Sequence, residues 1–352
     1  MSHRVIGPDD PKFSQIRRRM LVTWFKTILG YLAMGGLCWA AFAGFGYSYR
    51  FQLGFGLLWF LVPVVSWWFS AKVALAMTKS TPADPSNPEH QRLLAIVDRV
   101  FARSGLMHKP PVYISDNPLP NAFATGPIHS KAVVAATKGL FLTGMSDAEI
   151  EAVFAHELGH VKNYDVAINS MLSVLSMIFF MITDAGVRIL LSGIRIFQPK
   201  FGMRRNPNSN ERQGFFSGIL EYVIMYLIFQ VTGQMTKVIQ MFVMRSRESA
   251  ADATGSLITG QPCDLASALI KLVAYVEKNR PRGREAELYR AIRPIMTIDP
   301  LFDSNAAQSA PVSLWQRLVA VWRALQLTHP PVPERVAALE KMNGGVCPRP
   351  SV

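Results

Sequence analysis

Apolar and polar positions fall in long blocks along this chain. Residues 21–46 form one apolar run, interrupted by the single charge Lys26. Residues 51–71 form a second, rich in Phe51, Phe55, Trp59, Phe60, Trp67, Trp68 and Phe69. Each exceeds the roughly 20 residues that cross the hydrocarbon of a bilayer. Only Tyr47-Ser48-Tyr49-Arg50 separates them, so the pattern predicts a transmembrane helical hairpin. Arg17-Arg18-Arg19 before the first run and Ala41-Phe42-Ala43 near its end also fit a secretory signal. The length of the run and the second span that follows it favour an uncleaved anchor. Two further apolar stretches, 166–183 and 215–236, either span the membrane or lie as re-entrant or buried core helices. Between them the linker from Gln198 to Gly214 carries Lys200, Arg204, Arg205 and Arg212 against Glu211. The positive-inside tendency disfavours placing such a linker outside.

The remaining segments have the pattern of a soluble domain. Residues 81–90 form a Pro-rich polar linker. Residues 91–105 predict an amphipathic helix with Leu93, Leu94, Ile96, Val97, Val100 and Phe101 on its core side. Val112-Tyr113-Ile114 and Ala132 to Thr137 predict short strands. Ser146-Asp147-Ala148-Glu149 is a capping box, and Ile150, Val153, Phe154, Leu158 and Val161 follow at helical spacing. Residues 264–279 predict another helix, Pro281 to about Ser313 a weakly patterned loop over a cleft, and 314–327 an amphipathic helix. A turn at Pro330-Pro331 precedes a short helix over 333–342. The chain thus divides into a basic segment (1–20), a hairpin (21–78), a first part of the soluble domain (79–165), a membrane-associated insertion (166–244), a second part (245–345) and a tail (346–352).

Composition sharpens this picture. Half the residues are hydrophobic, yet 17% are charged, as expected of a soluble domain joined to spanning segments. The net charge of +13 invites a nucleic-acid reading. No phosphate-binding loop, zinc finger or basic-aromatic surface supports it, and nucleic acid is excluded as a partner. Much of the excess lies beside the apolar runs, where the lipid bilayer supplies anionic headgroups. Arg17-Arg18-Arg19, Lys72 and Lys79 place both ends of the hairpin, and the domain beginning near Thr81, in the cytoplasm. Cys38, Cys263 and Cys347 are odd in number and far apart, which suits a reducing compartment and predicts no disulfide framework or zinc-thiolate site.

The candidate chemistry lies in His156-Glu157-Leu158-Gly159-His160. Two imidazoles four residues apart share a helix face and can address one metal ion, with the intervening glutamate within reach of a water on it. A catalytic zinc needs a third protein ligand and one open position. The other histidines (His3, His90, His108, His129, His329) form no helical pair. Arg245-Ser246-Arg247-Glu248-Ser249-Ala250-Ala251-Asp252 offers two carboxylates on one helix face. One can bind metal while the other accepts a hydrogen bond from a ligand histidine. The competing reading is a solvated helix end whose charges exchange weak surface ion pairs.

His-Glu-Leu-Gly-His followed by Glu-x-x-Ala-Asp resembles the membrane-embedded zinc peptidases of the HtpX heat-shock type, gluzincins related to the CAAX prenyl proteases. Asn121-Ala122-Phe123-Ala124-Thr125-Gly126, the strand Val133-Val134-Ala135-Ala136-Thr137, Asn163-Tyr164-Asp165 and Thr328-His329-Pro330-Pro331 with Arg335 extend the resemblance. It implies a mainly helical α+β membrane protein with two to four transmembrane helices and a gluzincin-type domain made of a small sheet and the HExxH helix. It implies one zinc per subunit held by His156, His160 and Glu248, with Glu157 as general base and later proton donor. Asp252 and Asp165 would act behind the ligands. Asn121, Ala122, Phe123, Val134 and Ala135 would contact substrate, with the second strand acting as the edge that pairs with an extended chain. His329 and Arg335 are candidates for the oxyanion. The implied activity is endopeptidase cleavage of unfolded or damaged membrane proteins in the bacterial inner membrane, as part of protein quality control under stress. A prenyl-peptide processing protease and a catalytically weak scaffold with a structural metal are the alternatives. Substrate preference and oligomeric state are not legible in the sequence.

Overall fold

The computed structural model describes residues 48–163, 165, 244–245, 247–279 and 329–350, together with single positions between 25 and 43 and between 223 and 234. Most of the first apolar run, all of 166–183, most of 215–236 and the expected loop and helix over 281–327 lie outside the described residues. The chain divides into two compact units. One comprises Met1–Thr23, Val65–Met171 and Gln240–Val352; the other comprises Trp24–Val64 and Leu172–Ile239.

Helix α1 runs over Tyr49–Trp68 and α2 over Ser70–Met77. Among the described residues no single helix is long and apolar enough to cross a membrane, but Gln52–Trp68 and Ser70–Met77 meet that test together, bent by 65°. The continuous second span that the apolar run predicted is therefore broken at Phe69. Along α1, Leu53, Leu57, Leu58, Phe60 and Leu61 are exposed, a contiguous apolar surface that water alone does not favour. At its C-terminal end Trp67 Nε1 donates to Pro127 O at 3.0 Å, and the Lys131 ammonium lies 3.7 Å from the Trp68 ring centroid.

The larger unit is mainly helical with one small mixed sheet. Strands β1 (Thr81–Pro82), β2 (Val112–Ser115), β3 (Ala122–Thr125) and β4 (Val133–Thr137) are ordered β1-β2-β4-β3. β2 and β4 are parallel, with Val112 opposite Val134, and the β1/β2 and β3/β4 pairs are antiparallel. The expectation that β4 is an edge strand is thus corrected. It is paired on both sides, and its five residues are all buried, as expected of an apolar run in a sheet covered on both faces. β3 is the terminal strand.

Helix α3 (Pro88–Ser104) starts where Asn87 accepts from Glu89 N and Pro88 needs no partner, and it stops at Gly105, whose φ of 68° suits glycine. Its Leu93, Ile96, Val97 and Val100 are fully buried against α4 (Asp147–Lys162). α4 begins with the capping box: Ser146 Oγ accepts from Glu149 N and Glu149 Oε2 accepts from Ser146 N. A helix that includes the described residues 244–245 and 247–259 (α5) is followed by α6 (Pro262–Lys278) and α7 (Val332–Asn343). α6 packs on α4, and α7 packs on α6. Cys263 and Cys347 form a disulfide that ties the start of α6 to the segment after α7. This overturns the expectation of unpaired thiols: 84 residues separate the two cysteines in sequence, but the packing of α7 on α6 brings them together.

Candidate metal centre

The helix α4 places His156 and His160 one turn apart, with ring centroids 4.6 Å apart and ring planes at 83°. Their Nε2 atoms are 3.1 Å from each other. Glu248, on α5, completes a triangle: its Oε1 is 3.3 Å from His160 Nε2 and its Oε2 is 3.6 Å from His156 Nε2. Donors at about 2.0–2.1 Å from a tetrahedral zinc are roughly 3.4 Å from one another. The separations, 3.1 Å between the imidazoles and 3.3 and 3.6 Å to the two Glu248 oxygens, bracket that spacing. All three side chains are buried, and the three donor atoms lie within 4.8 Å of one another.

The two helices can bring these donors together because each offers a glycine to the other. A Cβ on Gly159 would lie 3.1 Å from Ala251 O, and one on Gly255 would lie 2.8 Å from His156 N. Each imidazole that could bind the metal turns its other nitrogen to a carboxylate. His156 Nδ1 is 2.8 Å from Asp252 Oδ1, and His160 Nδ1 is 3.1 Å from Asp165 Oδ2. Such carboxylates fix the tautomer and aim the opposite nitrogen at the metal. Arginines back both. Arg335 donates to Asp252 through Nε at 2.9 Å and Nη2 at 2.6 Å, and Arg247 Nη1 is 3.0 Å from Asp165 Oδ1.

Burial and charge compete throughout. Burial alone would push the Glu248 carboxyl up, but His329, His160 and Arg335 hold it well below the usual range. Burial opposes the His160 imidazolium, but hydrogen bonds to Asp165 and Glu248 outweigh it and raise His160 well above the ordinary value. Asp252 is lowered in spite of burial, chiefly by Arg335 and then by His156. Glu157 is raised. Burial dominates, and Glu248 adds to it while both histidines and the Ala124 N–H work against it. That N–H, on the terminal strand β3, donates to Glu157 Oε2 at 3.0 Å.

The structure brings together His156, Glu157, His160, Asp165, Glu248 and Asp252. It adds His329, whose Nδ1 is 3.2 Å from Glu248 Oε2, and Arg335, whose Nη1 is 3.4 Å from the same oxygen. The segment around Asn121 sits differently from the expectation. Asn121, Ala122, Phe123, Val134 and Ala135 are all buried. Phe123 and Ala135 form a small apolar cluster with Ala74 of α2, and Asn121 N donates to Thr137 Oγ1. Their side chains serve packing, and the backbone of Val134 and Ala135 lies inside the sheet. Three features escaped the sequence. These are the reach of Ala124 to Glu157, the glycine crossing, and Arg247, whose only sequence signal was its place next to Glu248.

A buried His-His-Glu donor triangle with a glutamate in the same helical turn defines a metallopeptidase centre on a mixed α+β framework. Comparison with known proteins is consistent with that class. Residues 87–343 match the model for "Peptidase family M48", and the chain belongs to peptidase family M48. It is 32% identical over 330 residues to a "Protease HtpX homolog" of Tropheryma whipplei (strain Twist), covering 94% of this chain and 98% of that one. It is 33% identical over 290 residues to a "Protease HtpX homolog" of Pelotomaculum thermopropionicum, covering 81% and 89%. Among solved structures, S. mikatae Ste24p aligns with 91% of this chain and 67% of its own, at 16% identity and a TM-score of 0.47.

Proposed function

We propose that this chain is a membrane-embedded, zinc-dependent endopeptidase that cleaves misfolded or damaged membrane proteins. The observation that carries the reading is the 3.1–3.6 Å triangle of His156, His160 and Glu248 donors with the Glu157 carboxylate in the same helical turn. His156, His160 and Glu248 would hold the zinc, which supplies an activated water and a polarised peptide carbonyl. Glu157 takes the proton of the attacking water and returns it to the leaving amine. Burial raises its affinity for a proton, the direction in which a carboxylate becomes a stronger base. The Ala124 N–H holds one Glu157 oxygen, which fixes the carboxylate for that exchange. Asp252 and Asp165 keep the two imidazoles aimed. His329 is the candidate donor to the oxyanion through Nε2, its Nδ1 lying against Glu248, whereas Arg335 is engaged by both Asp252 and Glu248.

An extended substrate pairs along β3, the terminal strand, rather than along β4. Backbone hydrogen bonds of that kind bind chains of many sequences, which suits clearance of damaged proteins. The exposed apolar face of α1 and the broken α1–α2 span support membrane attachment. Basic residues at both ends of the hairpin support a site on the cytoplasmic side. One observation favours the opposite side: the Cys263–Cys347 disulfide, a bond rare in the cytosol. Differential alkylation of the two cysteines in intact cells decides between them: free thiols, with the pair closing only on oxidation after lysis, support the cytoplasmic site, and a pair already bonded in the cell supports the opposite side.

The activity itself is tested by purifying wild type and Glu157→Gln in detergent, stripping metal, and restoring zinc. Both hold about one zinc per chain and only wild type cleaves an unfolded protein. If both hold zinc and neither cleaves, a structural metal site in a scaffold takes over; wild type that takes up no zinc removes the ligand assignment.

A further inference from the structure

Arg247 has no part in the ligand set, and on sequence alone it is one of two arginines at a solvated helix end. In the fold it is buried at 2% exposure. Its Nη1 makes two contacts with one residue, lying 3.0 Å from the Asp165 side-chain Oδ1 and donating to the Asp165 carbonyl oxygen at 3.1 Å. Asp165 is fully buried, and its other oxygen, Oδ2, is 3.1 Å from His160 Nδ1. The guanidinium therefore grips the carboxylate and the backbone of the residue that orients a ligand histidine. It does so from the position immediately before Glu248, the third ligand. We propose that Arg247 is a positioning residue of the metal centre: through Asp165 it fixes the His160 ring, and it couples that ring to the helix carrying Glu248. The inference rests on the zinc reading above and extends it.

Three arguments favour positioning over a plain buried ion pair. The Asp165 carboxylate is shared, one oxygen for Arg247 and the other for His160, so its placement cannot change without moving the ring. The contact bridges 82 residues of sequence, which includes the whole of 166–244, and closes that excursion at the metal centre. Finally, the arrangement repeats on the other ligand. Arg335 grips Asp252, and Asp252 faces His156. Each imidazole thus has its own carboxylate and each carboxylate its own guanidinium, but only Arg247 stands on the same helical turn as a ligand. A displacement of α5 carries Glu248 and the His160 support together.

The test compares wild type, Arg247→Met, Arg247→Lys and the double variant Arg247→Met/Asp165→Asn, each as the full chain in detergent. Zinc affinity is read by competition with a chromophoric chelator, the d–d spectrum by cobalt substitution, and folding by thermal melting. Arg247→Met is expected to bind zinc about 10–100-fold more weakly, the range seen when the outer partners of metal ligands are removed, with an altered cobalt spectrum. Arg247→Lys recovers part of the affinity, since a single nitrogen makes both contacts. The double variant binds zinc no more weakly than Arg247→Met, as two members of one relay should. A folded Arg247→Met with wild-type zinc affinity and cobalt spectrum, or a double variant with additive losses, overturns the inference alone. A wild-type chain that binds no zinc overturns the peptidase reading and the inference with it.

Discussion

Gly255→Ala tests the geometry on which the whole centre depends. A Cβ at this position would lie 2.8 Å from His156 N, 2.9 Å from His156 Cα and 3.1 Å from the Ala155 carbonyl carbon. Ordinary contacts between such atoms are about 3.5–4.0 Å, so α4 and α5 must separate by roughly 0.7 Å or more. All three neighbours are backbone, so no side chain can rotate away. Two terms of opposite sign then compete. Alanine in place of glycine within a helix is worth about 1 kcal/mol through intrinsic propensity. Overpacking a close contact costs about 1–3 kcal/mol. The net stability change is a loss of up to about 2 kcal/mol. The effect on metal is sharper, because zinc–ligand distances hold to about 0.2 Å and the shift moves Glu248 away from both imidazoles. Melting with chelator and zinc titration of the same preparation separate the two effects. Zinc affinity should fall by at least tenfold while the metal-free protein stays folded. A variant about 1 kcal/mol more stable than wild type, with unchanged zinc affinity, would mean that the helices do not cross closely and would refute the reasoning.

Asp252→Asn leaves the Arg335 cation buried without its main partner, and loss of one member of a buried pair costs about 3–5 kcal/mol; a cost under about 1 kcal/mol in denaturant unfolding of metal-free protein would contradict the observed pairing. With chelator present, His160 retains its proton above the usual imidazole range, so its contribution is complete below about pH 6.5 and fades as pH rises through the raised value. Zinc needs the deprotonated ring. The melting-temperature gap between zinc-loaded and metal-free protein should therefore widen from pH 6 to pH 8, and a constant gap counts against the Asp165 and Glu248 contacts. Reduction of Cys263–Cys347, which spans 84 residues, removes about 4.5 kcal/mol on the chain-entropy count. The thermal stability of wild type should fall with reductant and that of Cys263→Ser should not respond; an equal response of both would refute the pairing.

The parts of this protein that the sequence makes legible are those set by local rules. Ser146 and Glu149 cap α4, helical spacing aligns its apolar residues, and the two histidines follow as a consequence. Gly105 marks the end of α3 equally well, but its first turn is hidden in the Pro-rich reading of 81–90: the helix starts at Pro88, capped by Asn87, rather than at 91. Glu248 and Asp252 were readable as a pair on one helix face because their spacing is helical. What was not readable depends on which segments meet. Ala122–Thr125 has no alternation between Pro120 and Gly126, so β3 is not legible as a strand, and β4, which β3 covers, reads as the edge. Cys263 and Cys347 are uninformative until α7 lies on α6. Arg247 is indistinguishable from its neighbour Arg245 until Asp165 arrives from 82 residues earlier.

One physical condition links the pieces. Among the described residues, Glu157, Asp165, Glu248 and Asp252 are buried together with Arg247 and Arg335. Four carboxylates against two guanidiniums leave two negative charges in a low-dielectric pocket, and such a pocket does not persist without compensation. One divalent cation beside neutral imidazoles balances it. Without that cation, protons take the same role: Asp165 and Glu248 make His160 hold its proton more tightly than usual, and burial, with a smaller push from Glu248, moves Glu157 the same way. Metal and protons are therefore competing solutions to one electrostatic problem. The arginines set the balance point: removing either makes the pocket more negative, yet it also frees the carboxylate that aims a ligand. Charge alone would predict that loss of Arg247 strengthens cation binding, and positioning predicts that it weakens binding. The sign of the change in zinc affinity thus separates the two effects.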